Sequence, residues 1–239
     1  MISVIMPAYN EAQILSRTIK ATVNTLKECG LECEVILVDD GSQDNTYEKA
    51  LSLAQEHGNV RAFSYKPNMG KGQALKYGFQ FAQGDLVLFL DADSDLPPSQ
   101  IPRFLDYMKE SNADVVIGSK RHPLSKVRYP LTRRLWSKGY SLMVKILFNI
   151  KVSDTQVGMK LFQRKVLDQV FPKVLIKSYA FDLELLANAN RLGYRIIEAP
   201  VELNYQFPSR INLKDIRYIF KDTMAVFYRM KILHYYDKR

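Results

Sequence analysis

Three carboxylates stand at every second position directly after a short apolar run: Val87-Leu88-Phe89-Leu90 leads into Asp91-Ala92-Asp93-Ser94-Asp95. An apolar run of that length reads as a buried strand, and burial aims its exit rigidly. Two acids two residues apart at such an exit can meet one hard cation, and such a cation commonly neutralises a diphosphate. The chemistry open to these residues is that of a metal–nucleotide site. The run by itself fits equally well an acidic turn that caps the next helix, since Asp and Ser favour such places.

The elements around the run favour the first reading. Strand-like stretches at Ser3–Pro7, Glu34–Val38, Val60–Tyr65, Asp85–Leu90 and Asp114–Gly118 alternate with helical patterns at Glu11–Cys29, Asn45–His57, Lys71–Gln83 and Ser99–Ser111. Such alternation predicts right-handed βαβ units and an α/β fold with a mostly parallel sheet flanked by helices. Ligands gather at the carboxyl ends of such strands. Ala8-Tyr9-Asn10-Glu11, Asp39-Asp40-Gly41-Ser42 and Asp91-Ala92-Asp93 all fall there. After about residue 120 the alternation stops. A basic, aromatic stretch from Lys120 to Ile150 precedes an expected strand at Met159–Gln163, a helix at Phe181–Leu192, a strand at Arg195–Pro200 and a helix at Lys214–Leu233.

Bulk properties bound the function. The chain has 239 residues, 47% of them hydrophobic and 25% charged, which suits one large domain with a C-terminal extension. Cys29 and Cys33 form neither a disulfide framework nor a zinc set, so a reduced, cytoplasmic setting is expected. Met1 leads straight into a strand-like run, so no signal peptide is expected. A net charge of +9 fits phosphate-bearing substrates or an anionic membrane; no nucleic-acid motif accompanies it. Gly70-Lys71-Gly72 lacks the third glycine of the dinucleotide fingerprint, and no phosphate loop or nucleophile elbow occurs. A dehydrogenase, a P-loop kinase and a serine hydrolase are thereby disfavoured.

Val4-Ile5-Met6-Pro7-Ala8-Tyr9-Asn10-Glu11 resembles the opening of family 2 glycosyltransferases with the GT-A fold. Val38-Asp39-Asp40-Gly41-Ser42-Gln43-Asp44, Asn68-Met69-Gly70-Lys71-Gly72, Asp91-Ala92-Asp93 and Val116-Ile117-Gly118-Ser119 continue the resemblance in order. Asp154-Thr155-Gln156-Val157-Gly158-Met159-Lys160 is similar to a segment of the polyprenyl-phosphate glycosyltransferases, the dolichyl-phosphate mannose and glucose synthases among them. The resemblance covers roughly residues 2–210. It implies a catalytic domain over 1–210 and a basic amphipathic tail over 211–239. The reaction it implies moves a hexose from UDP-glucose or GDP-mannose to polyprenyl or dolichyl phosphate, with inversion and with Mg²⁺ or Mn²⁺ bound.

The resemblance also assigns roles. Asp91, Asp93 and Asp95 would hold the metal, although relatives often carry Gln where Asp95 stands. Pro7, Ala8, Tyr9, Glu11, Asp39, Lys71, Asp91, Ala92 and Arg210 would bind the donor, Asp39 at its nucleobase or ribose. Lys120, Arg121, Arg133 and Ser137 would bind the acceptor phosphate, and Asp93, Arg133 and Ser137 are the catalytic candidates. Arg133 and Ser137, four apart, share one helix face. Asp154 and Gln156 would shape the acceptor side or hold its cations. An anionic acceptor oxygen needs no strong base, so the want of a catalytic histidine is consistent. Asn10 has a bland alternative as a helix cap.

A lipid acceptor asks for a membrane surface. Leu135, Tyr140, Leu142, Met143, Ile146, Leu147 and Ile150 are expected on one apolar face, and Ile216, Ile219, Phe220, Phe227 and Met230 on another, with Lys214, Arg217, Lys221 and Arg229 opposite. Either face could equally pack on the sheet. No stretch is long enough to span a bilayer. The expected location is the cytosolic face of a membrane, reached by reversible docking or through a membrane partner subunit. Competing readings are a family 2 enzyme acting on a surface polysaccharide or glycolipid, a non-catalytic membrane-associated subunit, and a nucleotidyltransferase.

Overall fold

The computed structural model describes residues 1–127, 131–177, 180–203 and 213–237, and within these the side chains of all but 131–138 and 213–216. Seven strands form one sheet: β1 Ile2–Ala8, β2 Cys33–Asp39, β3 Val60–Ser64, β4 Leu86–Phe89, β5 Val115–Ser119, β6 Lys160–Gln163 and β7 Ile196–Pro200. Their spatial order is β3-β2-β1-β4-β6-β5-β7. All neighbours run parallel except at β6, which pairs antiparallel with both β4 and β5. The helices are α1 Leu15–Glu28, α2 Thr46–Glu56, α3 Lys71–Phe79, α4 Ile101–Glu110, α5 Leu131–Phe148, α6 Arg164–Val170, α7 Phe181–Arg191 and α8 Leu213–Phe227.

Strand alternation splits the core between the two sheet faces. Val4 and Met6 of β1 join a cluster with Leu15 and Ile19 of α1 and Phe104 of α4. Ile5 points the other way, into a cluster with Leu75 of α3, Phe148 of α5 and Leu183 of α7. Strands buried on both faces read as unbroken apolar runs, which is why β1, β2 and β4 stand out in the sequence.

Some expected boundaries move. α1 begins at Leu15 rather than Glu11, because residues 10–12 are tied to the loop after β2. The Asn10 N–H donates to Ser42 Oγ at 2.9 Å, Asn10 Oδ1 accepts from the Gln43 N–H at 2.9 Å, and the Glu11 N–H donates to Thr46 Oγ1 at 2.9 Å. Asn10 thus braces a loop and caps no helix. α3 ends at Phe79, short of the expected Gln83.

The amphipathic faces also divide differently. On α5, Val144 and Phe148 are core residues and Tyr140 and Leu147 pack against them, while Leu142 and Ile146 face solvent. At the C-terminus Thr223, Val226 and Met230 are buried; of the expected apolar face, Met230 thus packs inward while Phe220 is 53% exposed. Arg229, expected opposite that face, turns in to Glu184 at 3.0 Å. A π-helical stretch Tyr228–Ile232 and a 3₁₀ turn Tyr235–Asp237 follow α8. Tyr236 of that turn is buried in the same cluster as α7.

Candidate active site

The carboxyl ends of β1, β2 and β4 meet because these strands are adjacent and parallel, with Ala8 opposite Asp39 and Ile5 opposite Phe89. A cleft of about 580 Å³ opens there. Pro7, Ala8, Tyr9, Glu11, Lys71, Asp91, Ala92 and Asp93 all line it, as expected from residues scattered over the first 93 positions.

The first wall is the turn after β2. Asp40, rather than Asp39, faces the cleft. Its Oδ1 accepts the Met69 N–H at 2.8 Å and its Oδ2 the Gly70 N–H at 2.9 Å, so this carboxylate fixes the loop that delivers Lys71. Gly41 makes the turn possible: its φ is +71°, and a Cβ there would sit 2.8 Å from the Asn68 nitrogen. Asp39 lies beneath, 2% exposed, accepting from the Ser42 N–H at 3.2 Å and from Ser64 Oγ at 2.8 Å. Its place is at the rim of the predicted nucleoside region but not in the cleft lining.

The second wall is the turn after β4. Thr18 of α1 donates to the Ala92 carbonyl at 2.8 Å and bonds Ser94 Oγ, which pins the turn to the body of the protein. Lys71 Nζ lies 2.5 Å from Asp91 Oδ1. On the other side Gly158 allows Asp91 to pack against bare backbone, for a Cβ there would stand 2.6 Å from Asp91 Cγ and closer still to Oδ2. Burial opposes the charge on Lys71, but Asp91 and Asp182 outweigh it and hold the ammonium above its usual pKa. Burial, and then the charge of Asp91, pushes the Asp93 carboxyl up to about 7.

Asp91 and Asp93 suit a Mg²⁺- or Mn²⁺-type ion. Both are hard oxygen donors in the cleft, and a cation between them would relieve the repulsion that raises Asp93. Among the described residues no group of three His, Cys, Asp or Glu side chains gathers to hold a metal. Asp95 is not brought into the lining; its backbone N–H donates to Asp93 Oδ1 at 3.0 Å instead. Two carboxylates are sufficient for Mg²⁺, which keeps water and takes its other oxygens from substrate phosphates.

The cleft has further walls that the sequence reading left without a role, Asn68 and Asp182; Gln156, expected on the acceptor side, lines it too. Asp182, in the first turn of α7, pairs at 2.8 Å with Lys160, which is fully buried on β6. Burial pushes Lys160 below its usual pKa, with Asp182 pulling the other way. An acid in the first turn of an expected helix was the available signal for Asp182.

Beside the cleft is a small hollow of about 60 Å³ lined by Lys120, Arg121, Ser153, Asp154 and others. Gln156 belongs to both walls and separates the two. Arg121 Nη1 donates to the Ser153 carbonyl at 2.6 Å, and Lys120 Nζ lies 3.6 Å from Asp154 Oδ2. Glu198 of β7 fixes this corner by accepting from the Ser153 N–H at 2.8 Å and the Asp154 N–H at 3.1 Å. Arg133 and Ser137 fall in the first two turns of α5, with side chains outside the described residues; Arg210 also lies outside them.

A sequence model of glycosyl transferase family 2 matches residues 3–171. The dolichyl-phosphate beta-glucosyltransferase ALG5A of Trichomonas vaginalis is 32% identical over 249 residues, spanning all of this chain and 77% of that protein. Glycosyltransferase AglD of Haloferax volcanii is 29% identical over 214 residues, 89% of this chain and 34% of that protein. Among solved structures, glucosyl-3-phosphoglycerate synthase of Mycobacterium tuberculosis with Mn²⁺, UDP and phosphoglyceric acid superposes with a TM-score of 0.72 at 20% identity, over 95% of this chain and 77% of that one. Mannosyltransferase PcManGT of Pyrobaculum calidifontis with GDP-Man and Mn²⁺ gives 0.66 at 20% identity, over 97% and 64% of the two chains. The cleft at the strand ends and these matches converge: the chain belongs to glycosyl transferase family 2 and is a glycosyltransferase built on the GT-A fold.

Proposed function

We propose that the protein transfers a hexosyl group from a nucleotide sugar to the phosphate of a polyprenol such as dolichyl phosphate. The Trichomonas relatives, named as dolichyl-phosphate beta-glucosyltransferases, favour glucose as the sugar. The observation that carries the reading is the pairing of two neighbouring compartments. One is acidic and opens at the strand ends; the other presents Lys120 and Arg121; Gln156 stands between them.

Two phosphate-bearing substrates must approach each other in this reaction. Pro7, Ala8, Tyr9 and Glu11 would form the nucleoside wall, with Asp39 bracing the turn below. Asp91 and Asp93 would hold Mg²⁺ or Mn²⁺, which supplies neutralisation of the charge that grows on the departing nucleoside diphosphate. Lys120 and Arg121 would hold the acceptor phosphate, joined by Arg133, Ser137 and Arg210. An acceptor oxygen, already anionic near neutral pH, bonds to the anomeric carbon as the bond from that carbon to the diphosphate oxygen breaks. Attack from the face opposite the leaving group inverts the centre. Asp93 serves as metal ligand and not as base.

Residues 1–210 carry catalysis in this reading, and 211–239 present a surface to the membrane at its cytosolic face. No helix among the described residues is long and apolar enough to cross a bilayer. Phe220, Met224, Tyr228 and Ile232 recur at four-residue intervals and are exposed, with Arg217, Lys221 and Lys231 beside them. Aromatic and aliphatic residues flanked by cations suit an anionic interface.

The test is incubation of the purified protein with Mg²⁺ or Mn²⁺, dolichyl phosphate and labelled UDP-glucose or GDP-mannose. Label that moves into the organic phase as a phosphodiester of one sugar is expected. Failure with every sugar nucleotide, against a protein that binds UDP or GDP normally, refutes the acceptor assignment.

A further inference from the structure

Lys71 and Asp91 form an ion pair inside the cleft, where the ammonium and a metal ion would compete for the lone pairs of the same carboxylate. Both oxygens of Asp91 have fixed surroundings. Oδ1 lies 2.5 Å from Lys71 Nζ, and Oδ2 packs on the bare backbone of Gly158. A cation arriving at Asp91 therefore meets Oδ1 already paired with Lys71 and Oδ2 set against the Gly158 backbone, in a side chain 28% exposed.

The backbone at Lys71 is held firmly. Asp40 grips the Gly70 N–H at 2.9 Å, and the Gly72 N–H donates to the Lys177 carbonyl at 2.8 Å. The freedom left is in the four-carbon stem, which ends in a compact, rotatable ammonium. A second anion waits on the same cleft: Asp182, itself anchored at 2.8 Å to the buried Lys160. Five carboxylates line the cleft, Glu11, Asp40, Asp91, Asp93 and Asp182, against the ammonium of Lys71 and that of buried Lys160 behind Asp182. A divalent cation offsets two of those charges and weakens the hold of Asp91 on Lys71.

We propose that Lys71 is a placeholder cation: it neutralises Asp91 in the metal-free protein, gives up Oδ1 when a divalent cation is bound, and turns beside Asp182 to face the diphosphate of the donor. This rests on the reading of Asp91 and Asp93 as the cation site. It adds an order of events, in which metal occupancy makes Lys71 available to the nucleotide. In the metal-free cleft Lys71 offsets the repulsion among the carboxylates, and it does not have to be recruited from solvent.

Two measurements test it. Mn²⁺ titration without nucleotide, read by the resonance of free Mn²⁺, compares the wild type with Lys71→Met. Loss of the competing cation is expected to tighten Mn²⁺ binding by about tenfold. In the presence of saturating Mn²⁺ the same variant is expected to bind UDP or GDP more weakly than the wild type. Separately, ¹⁵N-lysine spectra of the wild-type protein follow the Lys71 ammonium, identified by its loss in Lys71→Met. Mg²⁺ is expected to shift that signal before any nucleotide is added. Equal or weaker Mn²⁺ binding by Lys71→Met, or a Lys71 signal unmoved at saturating Mg²⁺, overturns the handover while leaving the metal site intact. Absence of Mn²⁺ binding in both proteins overturns the cation site itself and the handover with it.

Discussion

Gly158→Ala is the smallest change that should empty the site of function. The new methyl would stand 2.6 Å from Asp91 Cγ. Carbon atoms rest at about 3.5–4.0 Å, so roughly 1 Å must be found. The backbone has little to give. The Gly118 N–H bonds the Met159 carbonyl at 3.0 Å, and Lys160 Nζ donates to the Val157 carbonyl, tying both sides of Gly158. The Asp91 side chain must yield instead, which moves its oxygens off the position they hold beside Asp93 and Lys71. Overpacking of this kind costs about 1–3 kcal/mol of stability. A displacement of about 1 Å at a reacting centre costs on the order of 10²-fold in rate. The assays are Mn²⁺ titration, thermal unfolding and turnover. Gly139→Ala is the control, because among the described residues nothing beyond its own stretch of helix lies within 4 Å of a Cβ built there. It should be neutral or slightly stabilising, as expected for Gly→Ala within a helix. Wild-type Mn²⁺ affinity and turnover in Gly158→Ala would refute the claim that Gly158 sets the position of Asp91.

Other perturbations separate charge from packing. Asp93→Asn should abolish metal-dependent turnover yet leave the melting temperature at pH 8 unchanged or higher. The folded-state pKa of Asp93 is raised to about 7, so its negative charge opposes folding above that pH. A sharply lower melting temperature would contradict this. Mn²⁺ affinity of the wild type should rise as pH rises through about 7, because Asp93 must shed its proton to bind; calorimetry showing a flat profile from pH 6 to 8 would count against Asp93 as ligand. Glu184→Ala removes a fully buried carboxylate that Arg229 meets at 3.0 Å and that the Leu175 and Ile176 N–H groups reach at 3.0 and 2.7 Å. Urea unfolding should show a loss of about 3–5 kcal/mol. Paired Phe220→Asp and Tyr228→Asp changes should weaken binding to anionic liposomes without lowering the melting temperature; unchanged sedimentation with liposomes would remove the membrane role of that stripe.

Within the parallel half of the sheet β1, β2 and β4 were legible because each is buried on both faces and therefore written as an apolar run. β6 was legible as a strand but not in its direction, since only its partners set that. Nothing local marks Lys160 as a residue that sits opposite Phe89 between β4 and β5. The cleft was legible where loops follow strands: Tyr9, Glu11, Asp91 and Asp93 fall at strand ends by position, while Pro7 and the binding roles came from the family resemblance. Asp39 and Asp40 could not be told apart, for a one-residue step decides which carboxylate faces the ligand and which faces Ser64. The Lys71–Asp91 pair joins residues 20 apart in different βα units, and no spacing rule reaches across them. On α8 the amphipathic period was legible but not which side packs on the protein: Met230 is buried, Phe220 is exposed, and Arg229 turns in to buried Glu184.

The first turn of α7 joins these features into one arrangement. Asp182 faces the cleft and holds Lys160, and Glu184, two residues on, holds Arg229 and bonds Tyr236 at the C-terminal end. Glu184 also fixes the Leu175 and Ile176 N–H groups, and the next residue, Lys177, accepts from Gly72 beside Lys71. The exposed stripe after α8 and the cation that meets Asp91 are thus referenced to the same helix end through short, directional bonds. If that stripe docks on lipid as proposed, it must be held at a constant height relative to the reacting centre for a lipid-borne phosphate to reach it, and short bonds to charged groups fix such a height.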